Sequence, residues 1–207
     1  DALVGNLGNS YKIMECGMKA FPTEALTHTH LSCLLNAMIG NNLNYTDIKE
    51  VQVTCFAQAY DILFDPTKYR PESRETADHS LPYCLAAAMV DKKITTESFS
   101  DEKLNDPRIY EVIDKIKGQP SQEFEKMFPA KQPSKVVVTT NDGRQFEEYL
   151  EYPKGDPREP MTMDDLENKF NSLVGDKLND DQKKQLKNTI FNCEEMSAND
   201  FMTALNI

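Results

Sequence analysis

The chain has 207 residues, a formal net charge of -11 and a pI near 4.8. That length can bury the core of one domain or two small ones, and the acidic balance argues against nucleic acid or an anionic membrane as the main partner. No apolar run approaches the roughly 20 residues that span a bilayer, and no signal-peptide pattern opens the chain.

Residues 1–10 read as the tail of a preceding element. The first residue is Asp1 rather than Met, as expected of a fragment, a processed product or an incompletely observed protein. Residues 11–21 alternate loosely through Tyr11, Ile13, Met18 and Phe21 and predict a strand that Pro22 ends. Thr27 is a predicted N-cap for a helix from His28 to about Ile39, with Leu31, Leu34, Leu35 and Met38 as its apolar stripe. Gly40-Asn41-Asn42 stops that helix. The alternation from Ile48 to Phe56 predicts a strand, and Asp65-Pro66 and Arg70-Pro71 mark a loop. A helix is predicted from near Ser80, because Pro82 is tolerated only in a first turn. A further helix is predicted at about 107–117 from Ile109, Val112, Ile113 and Ile116. Asn141-Asp142-Gly143 between two β-rich runs predicts a hairpin. After the proline-rich connector at 153–160 the character changes. Residues 162–207 read as three short helices starting at Thr162, near Asn179 or Asp180, and near Ser197. A boundary at about residue 155 separates an α+β body from a helical tail.

The five cysteines (Cys16, Cys33, Cys55, Cys84 and Cys193) are odd in number, widely spaced and form no C-x-x-C pair. They read as reduced thiols, mostly core filler, and no zinc or iron–sulfur ligand pattern accompanies them. Two groups carry chemistry. In the first, Asp78, His79 and Tyr83 crowd the start of an apolar helix, where unpaired N–H groups favour an anion and proton-transfer groups are dense. The helix geometry predicts that His79 and Tyr83 share a side of its first turn. A structural reading of the same residues has Asp78 capping, His79 on the surface and Tyr83 in the core. In the second group, Lys19 and Glu24 flank a predicted strand-to-helix turn and suit a carboxylate and a proton, or else form a surface salt bridge. His28 and His30 are spaced i, i+2, which does not share a helix face, so no metal is expected there.

The two groups together resemble one known arrangement. The chain is similar to the C-terminal half of the MmgE/PrpD family, which includes 2-methylcitrate dehydratases and cis-aconitate decarboxylase. Four stretches carry the likeness over about residues 10–175. They are Lys19-x-Phe21-Pro22-x-Glu24; Thr76-Ala77-Asp78-His79-Ser80-Leu81-Pro82-Tyr83; Asn141-Asp142-Gly143-Arg144; and Lys154-Gly155-Asp156-Pro157 leading to Met161-Thr162 and Lys169-Phe170. The second is the most specific.

The resemblance implies an α+β fold: a small lid domain of antiparallel sheet and helices at residues 12–155. Residues 1–11 would then end a preceding all-helical domain, and residues 156–207 would return to it. It implies a metal-independent hydro-lyase without cofactor, dehydrating 2-methylcitrate or a related tricarboxylate. Tyr83, His79 and Glu24 are the candidate catalytic residues, and Lys19 and His28 the candidate substrate-binding ones. Glu24 stands where the decarboxylase branch has a histidine and the dehydratase branch a glutamate. The Thr-Ala-Asp-His-Ser-Leu-Pro-Tyr form looks more like the MmgE branch. The alternatives are a cis-aconitate decarboxylase-like lyase, or a non-catalytic lid-like module or split-enzyme subunit. The expected partners are the tricarboxylate, the missing N-terminal helical domain and a second copy in a homodimer, with no nucleic acid and no membrane. The expected compartment is cytoplasmic, or the mitochondrial matrix in a eukaryote. Much of the family's catalytic set lies in the N-terminal helical domain, so this chain alone is expected to be inactive.

Overall fold

A computed structural model describes residues 8–206. The expected end of a preceding helical domain, residues 1–11, lies largely outside them. Two compact units are present, one up to Thr162 and one from Met163.

The first unit is built on a four-stranded sheet. Its helices are α1 (His28–Gly40), α2 (Ala57–Leu63), α3 (Arg74–Asp78), α4 (Leu81–Asp91), α5 (Asp101–Leu104), α6 (Pro107–Ile113) and α7 (Gln122–Met127). Its strands are β1 (Ile48–Cys55), β2 (Ile116–Pro120), β3 (Ser134–Thr140) and β4 (Gln145–Leu150), in the order β2-β1-β3-β4. β1, β3 and β4 are antiparallel neighbours, and β2 joins β1 in parallel. The class is α+β. The sheet is mixed rather than wholly antiparallel, because of that one edge strand.

The alternation in β1 and β3 explains the core. Val51 lies opposite Val138 and Val53 opposite Val136, all four fully buried, so one face of the sheet is a continuous apolar floor. α1 packs on β3 and β4, and α4 packs on α1, α6 and β2. The stripe of α1 delivers Leu31, Leu34 and Met38 to this interface at 0 % exposure. Each such side chain contributes roughly 1.5–3 kcal/mol on leaving water. β4 alternates between exposed and half-buried residues, so it forms the solvated edge.

Two elements differ from the sequence expectation. Residues 11–21 form a 3-10 turn (Lys12–Glu15) and an irregular segment, with no strand. Tyr11, Ile13 and Met14 are exposed, so the loose alternation there has no buried face to serve. The helix expected at 107–117 ends at Ile113, and Ile116 opens β2. Ile116 continues the helical spacing by chance and is buried from the sheet instead. Gly118 in β2 is required by close approach: a Cβ there would sit 2.7 Å from the Phe64 ring. The hairpin follows expectation, with Gly143 at φ +87 in the turn between β3 and β4.

The second unit holds α8 (Met163–Val174), α9 (Asp180–Phe191) and α10 (Ala198–Ala204), the three helices read from the capping residues. Asn179 and Gln182 form a capping box on α9, and the Ser197 hydroxyl accepts the Asp200 N–H on α10. Among the described residues no helix is long and apolar enough to cross a membrane.

Candidate active site

The cleft is made by two turns held together through the main chain. Glu24 N–H donates to the Asp78 carbonyl at 3.0 Å, which joins the Lys19–Glu24 turn to the end of α3. A cleft of about 310 Å³ opens at this junction, lined by Lys19, Pro22, Thr23, Glu24, Ala25, Asp78 and His79.

The first turn is ordered by its own polar groups. The Thr27 hydroxyl donates to the Glu24 carbonyl at 2.8 Å, so its oxygen accepts from the Thr23 hydroxyl at 2.7 Å. The Glu24 carboxylate accepts Leu26 N–H at 2.6 Å and so caps the 3-10 turn Ala25–Thr27 that leads into α1. Thr27 thus supports the turn, while Glu24 does the capping that sequence had given to Thr27. The Lys19 ammonium donates to the Thr23 carbonyl at 2.8 Å, which holds it over the same turn. Thr23 is a site residue that sequence reasoning missed; its i, i+4 spacing from Thr27 was the available signal.

The second turn is set by two caps in succession. Ser73 and Thr76 form a capping box on α3, and Ser80 caps α4 by accepting Tyr83 N–H at 3.1 Å. The short break between them turns His79 outward, with its side chain 50 % exposed. Its Nδ1 faces two acceptors, the Asp78 carboxylate and the Glu75 carbonyl, the latter at 3.1 Å. Two acceptors on one ring nitrogen require that Nδ1 carry the proton, which leaves Nε2 as the base of the neutral ring. Asp78 orients this histidine, and the helix-capping role considered for it belongs to Ser80.

The structure brings Lys19, Glu24 and His79 together and leaves two expected site residues elsewhere. Tyr83 does not share a side of the first turn with His79. It is fully buried, its ring 6.1 Å from that of Phe99, and its hydroxyl donates to the Ser98 carbonyl at 2.9 Å. Burial also pushes its phenol above the ordinary tyrosine range. His28 is 2 % exposed at the start of α1, against the Phe21 ring at 5.4 Å, and is not among the cleft-lining residues. Among the described residues no group of three or more His, Cys, Asp or Glu is gathered as metal ligands would be.

The model of the MmgE/PrpD C-terminal domain matches residues 21–194, most of the chain. The chain belongs to the MmgE/PrpD family. It is 22 % identical to a cis-aconitate decarboxylase of Aspergillus terreus over 204 residues, 95 % of this chain and 41 % of that protein. It is 27 % identical to the cis-aconitate decarboxylase of Mus musculus over 135 residues, covering 65 % of this chain and 28 % of that one. The human cis-aconitate decarboxylase is 28 % identical over 141 residues, with the same coverage of 65 % and 28 %. The chain thus spans less than half the length of the curated relatives it matches. Lys19 lies just before the matched region, whereas Glu24, Asp78 and His79 lie inside it.

Proposed function

We propose that this chain supplies one wall of the active site of a lyase acting on a tricarboxylate of the citrate or aconitate type. The observation that carries this reading is the cleft where an ammonium, a carboxylate and an outward-facing histidine converge. Lys19 clamps a substrate carboxylate, His79 moves a proton through Nε2, and Glu24 presents a second acid–base group. Dehydration needs these parts: a base removes the proton on a carbon next to a carboxylate, and an acid protonates the β-hydroxyl as it leaves as water. The opposite wall belongs to residues outside this chain, so the chain alone is inactive.

The finer reading is dehydration of 2-methylcitrate or a close relative. A glutamate at position 24 supports it, since the resemblance pairs glutamate there with dehydratases. A second reading, decarboxylation of cis-aconitate, draws support from the names of the relatives. The full-length protein, incubated separately with 2-methylcitrate, citrate and cis-aconitate, decides between them by product NMR and carbon dioxide release. An unsaturated tricarboxylate from 2-methylcitrate bears out the first reading. Carbon dioxide as the main product replaces it with the second, and no turnover of any of the three removes the lyase reading.

A further inference from the structure

The residue that clamps substrate in the proposed function sits on a segment with no regular structure: residues 16–19 belong to no helix or strand. What fixes that segment is the connector at residues 153–159. Met18 N–H donates to the Gly155 carbonyl at 2.8 Å, one residue before Lys19. The two backbones touch closely, since a Cβ on Gly155 would lie 1.9 Å from the Met18 carbonyl oxygen and one on Gly17 would lie 3.2 Å from the Gly155 oxygen. Gly155 also holds φ +93, a conformation that side chains rarely adopt.

The connector keeps its shape through main-chain bonds and an Asp156–Arg158 pair. Main-chain bonds close it from Asp156 to Pro153 at 3.0 Å, Gly155 to Glu159 at 2.8 Å and Glu159 to Asp156 at 2.9 Å. Arg158 then binds it from outside. Its Nε and Nη2 donate to the two Asp156 carboxylate oxygens at 2.7 and 2.8 Å, a fork-on-fork pair. Its Nη1 donates to the Ala130 carbonyl at 2.7 Å, in the segment before β3. Its guanidinium lies over the Tyr152 ring at 4.0 Å from the centroid.

We propose that Arg158 is a positioning residue for Lys19. It ties the connector to the segments that flank the sheet, at Ala130 before β3 and Tyr152 after β4, and the connector presents the Gly155 carbonyl on which the Lys19 segment hangs. Arg158 does not line the cleft, so its effect on substrate passes through the backbone. A lysine at this position keeps the charge but cannot span Asp156 and Ala130 together.

This inference rests on the reading of Lys19 as a carboxylate clamp, and a double-mutant cycle in the full-length protein separates the two. The variants are K19A, R158A, R158K and K19A/R158A, assayed with whichever tricarboxylate the wild type turns over. K19A is expected to raise KM roughly 10-fold or more. R158A is expected to raise KM roughly 3- to 10-fold with kcat held within about twofold, and to add nothing in the K19A background. R158K, which perturbs folding less, is expected to show the same KM-only defect at smaller size. A raised KM in K19A with an unchanged KM in both Arg158 variants overturns the inference alone. Full additivity of K19A and R158A also overturns it, because an independent structural defect would add. An unchanged KM in K19A removes the clamp reading, and the inference with it.

Discussion

Replacing Tyr83 by Phe separates a structural tyrosine from a catalytic one. The phenylalanine ring keeps the packing against Phe99, and only the hydroxyl is lost. That hydroxyl donates to the Ser98 carbonyl at 2.9 Å, with Tyr83 at 0 % and Ser98 at 2 % exposure. No water reaches the carbonyl to replace the bond. An acceptor stranded in this way costs about 1–3 kcal/mol. The variant also no longer desolvates a hydroxyl, which places the expected loss toward the lower half of that range. A chain of about 150–250 residues loses about 2–4 °C per kcal/mol and a longer one less, so the melting temperature should fall by up to about 8 °C. At 25 °C the variant should turn over substrate with kcat and KM within about twofold of wild type, because the group lies outside the cleft. The assay is a thermal melt and steady-state kinetics on the same full-length preparation. A loss of roughly 10²-fold in kcat with an unchanged melting temperature would return Tyr83 to the chemistry and refute this account of the core.

Three further outcomes follow from the geometry. Gly155→Ala forces a Cβ to within 1.9 Å of the Met18 carbonyl at φ +93, so it should destabilise by about 2–4 kcal/mol, measured by urea titration; an unchanged midpoint would mean the two backbones do not meet. His30 is buried with Nδ1 on the Ser134 hydroxyl and no hydrogen-bond partner at Nε2, and burial lowers its pKa to about 3. Above its ordinary value of about 6.5 neither state is protonated. Below it the unfolded chain takes up a proton that the folded chain refuses, so stability falls as pH drops from 6.5 toward 3, by up to about 1.4 kcal/mol per unit. His30→Gln should flatten the pH dependence of unfolding by that amount, and an unaltered slope would show that His30 protonates in place. Finally, burial pushes the Cys33 and Cys55 thiols up to about 12 and raises that of Cys84 further. All three should resist a thiol reagent at pH 8 until the protein unfolds, and mass spectrometry of the labelled native protein would detect any early reaction.

What sequence made legible was local. The α1 stripe, the start of α4 near Ser80, the Asn141–Gly143 turn and the starts of α8, α9 and α10 each announce themselves within a few residues of sequence. β2 announces nothing, because Ile116–Pro120 holds a glycine and a proline and takes its stability from pairing with β1, over sixty residues earlier in the chain. α2 went unread because Ala57–Leu63 is short and follows the strand almost directly. At the site, the clustering of Asp78 and His79 was visible, and so was the Lys19–Glu24 turn. The direction of Tyr83 was not, since helical spacing gives the angle between two side chains only when both lie on one helix. His79 follows the last residue of α3 and Tyr83 belongs to α4, and the break between the helices sends one ring to solvent and the other to Ser98. The anchoring of Lys19 by Gly155 was invisible for the same reason as β2: the partner is a backbone carbonyl more than a hundred residues away.

The hydrogen bond from Glu24 to Asp78 is made by backbone atoms on both sides. It therefore carries no instruction about which side chains stand at those two positions. A substitution at residue 24 removes the carboxylate that caps the Ala25–Thr27 turn but leaves the main-chain link between the two turns in place. A replacement at residue 24 therefore asks for no matching side-chain change at residue 78 to keep the two turns joined. Such an arrangement keeps the frame of the cleft while the side chains that line it vary.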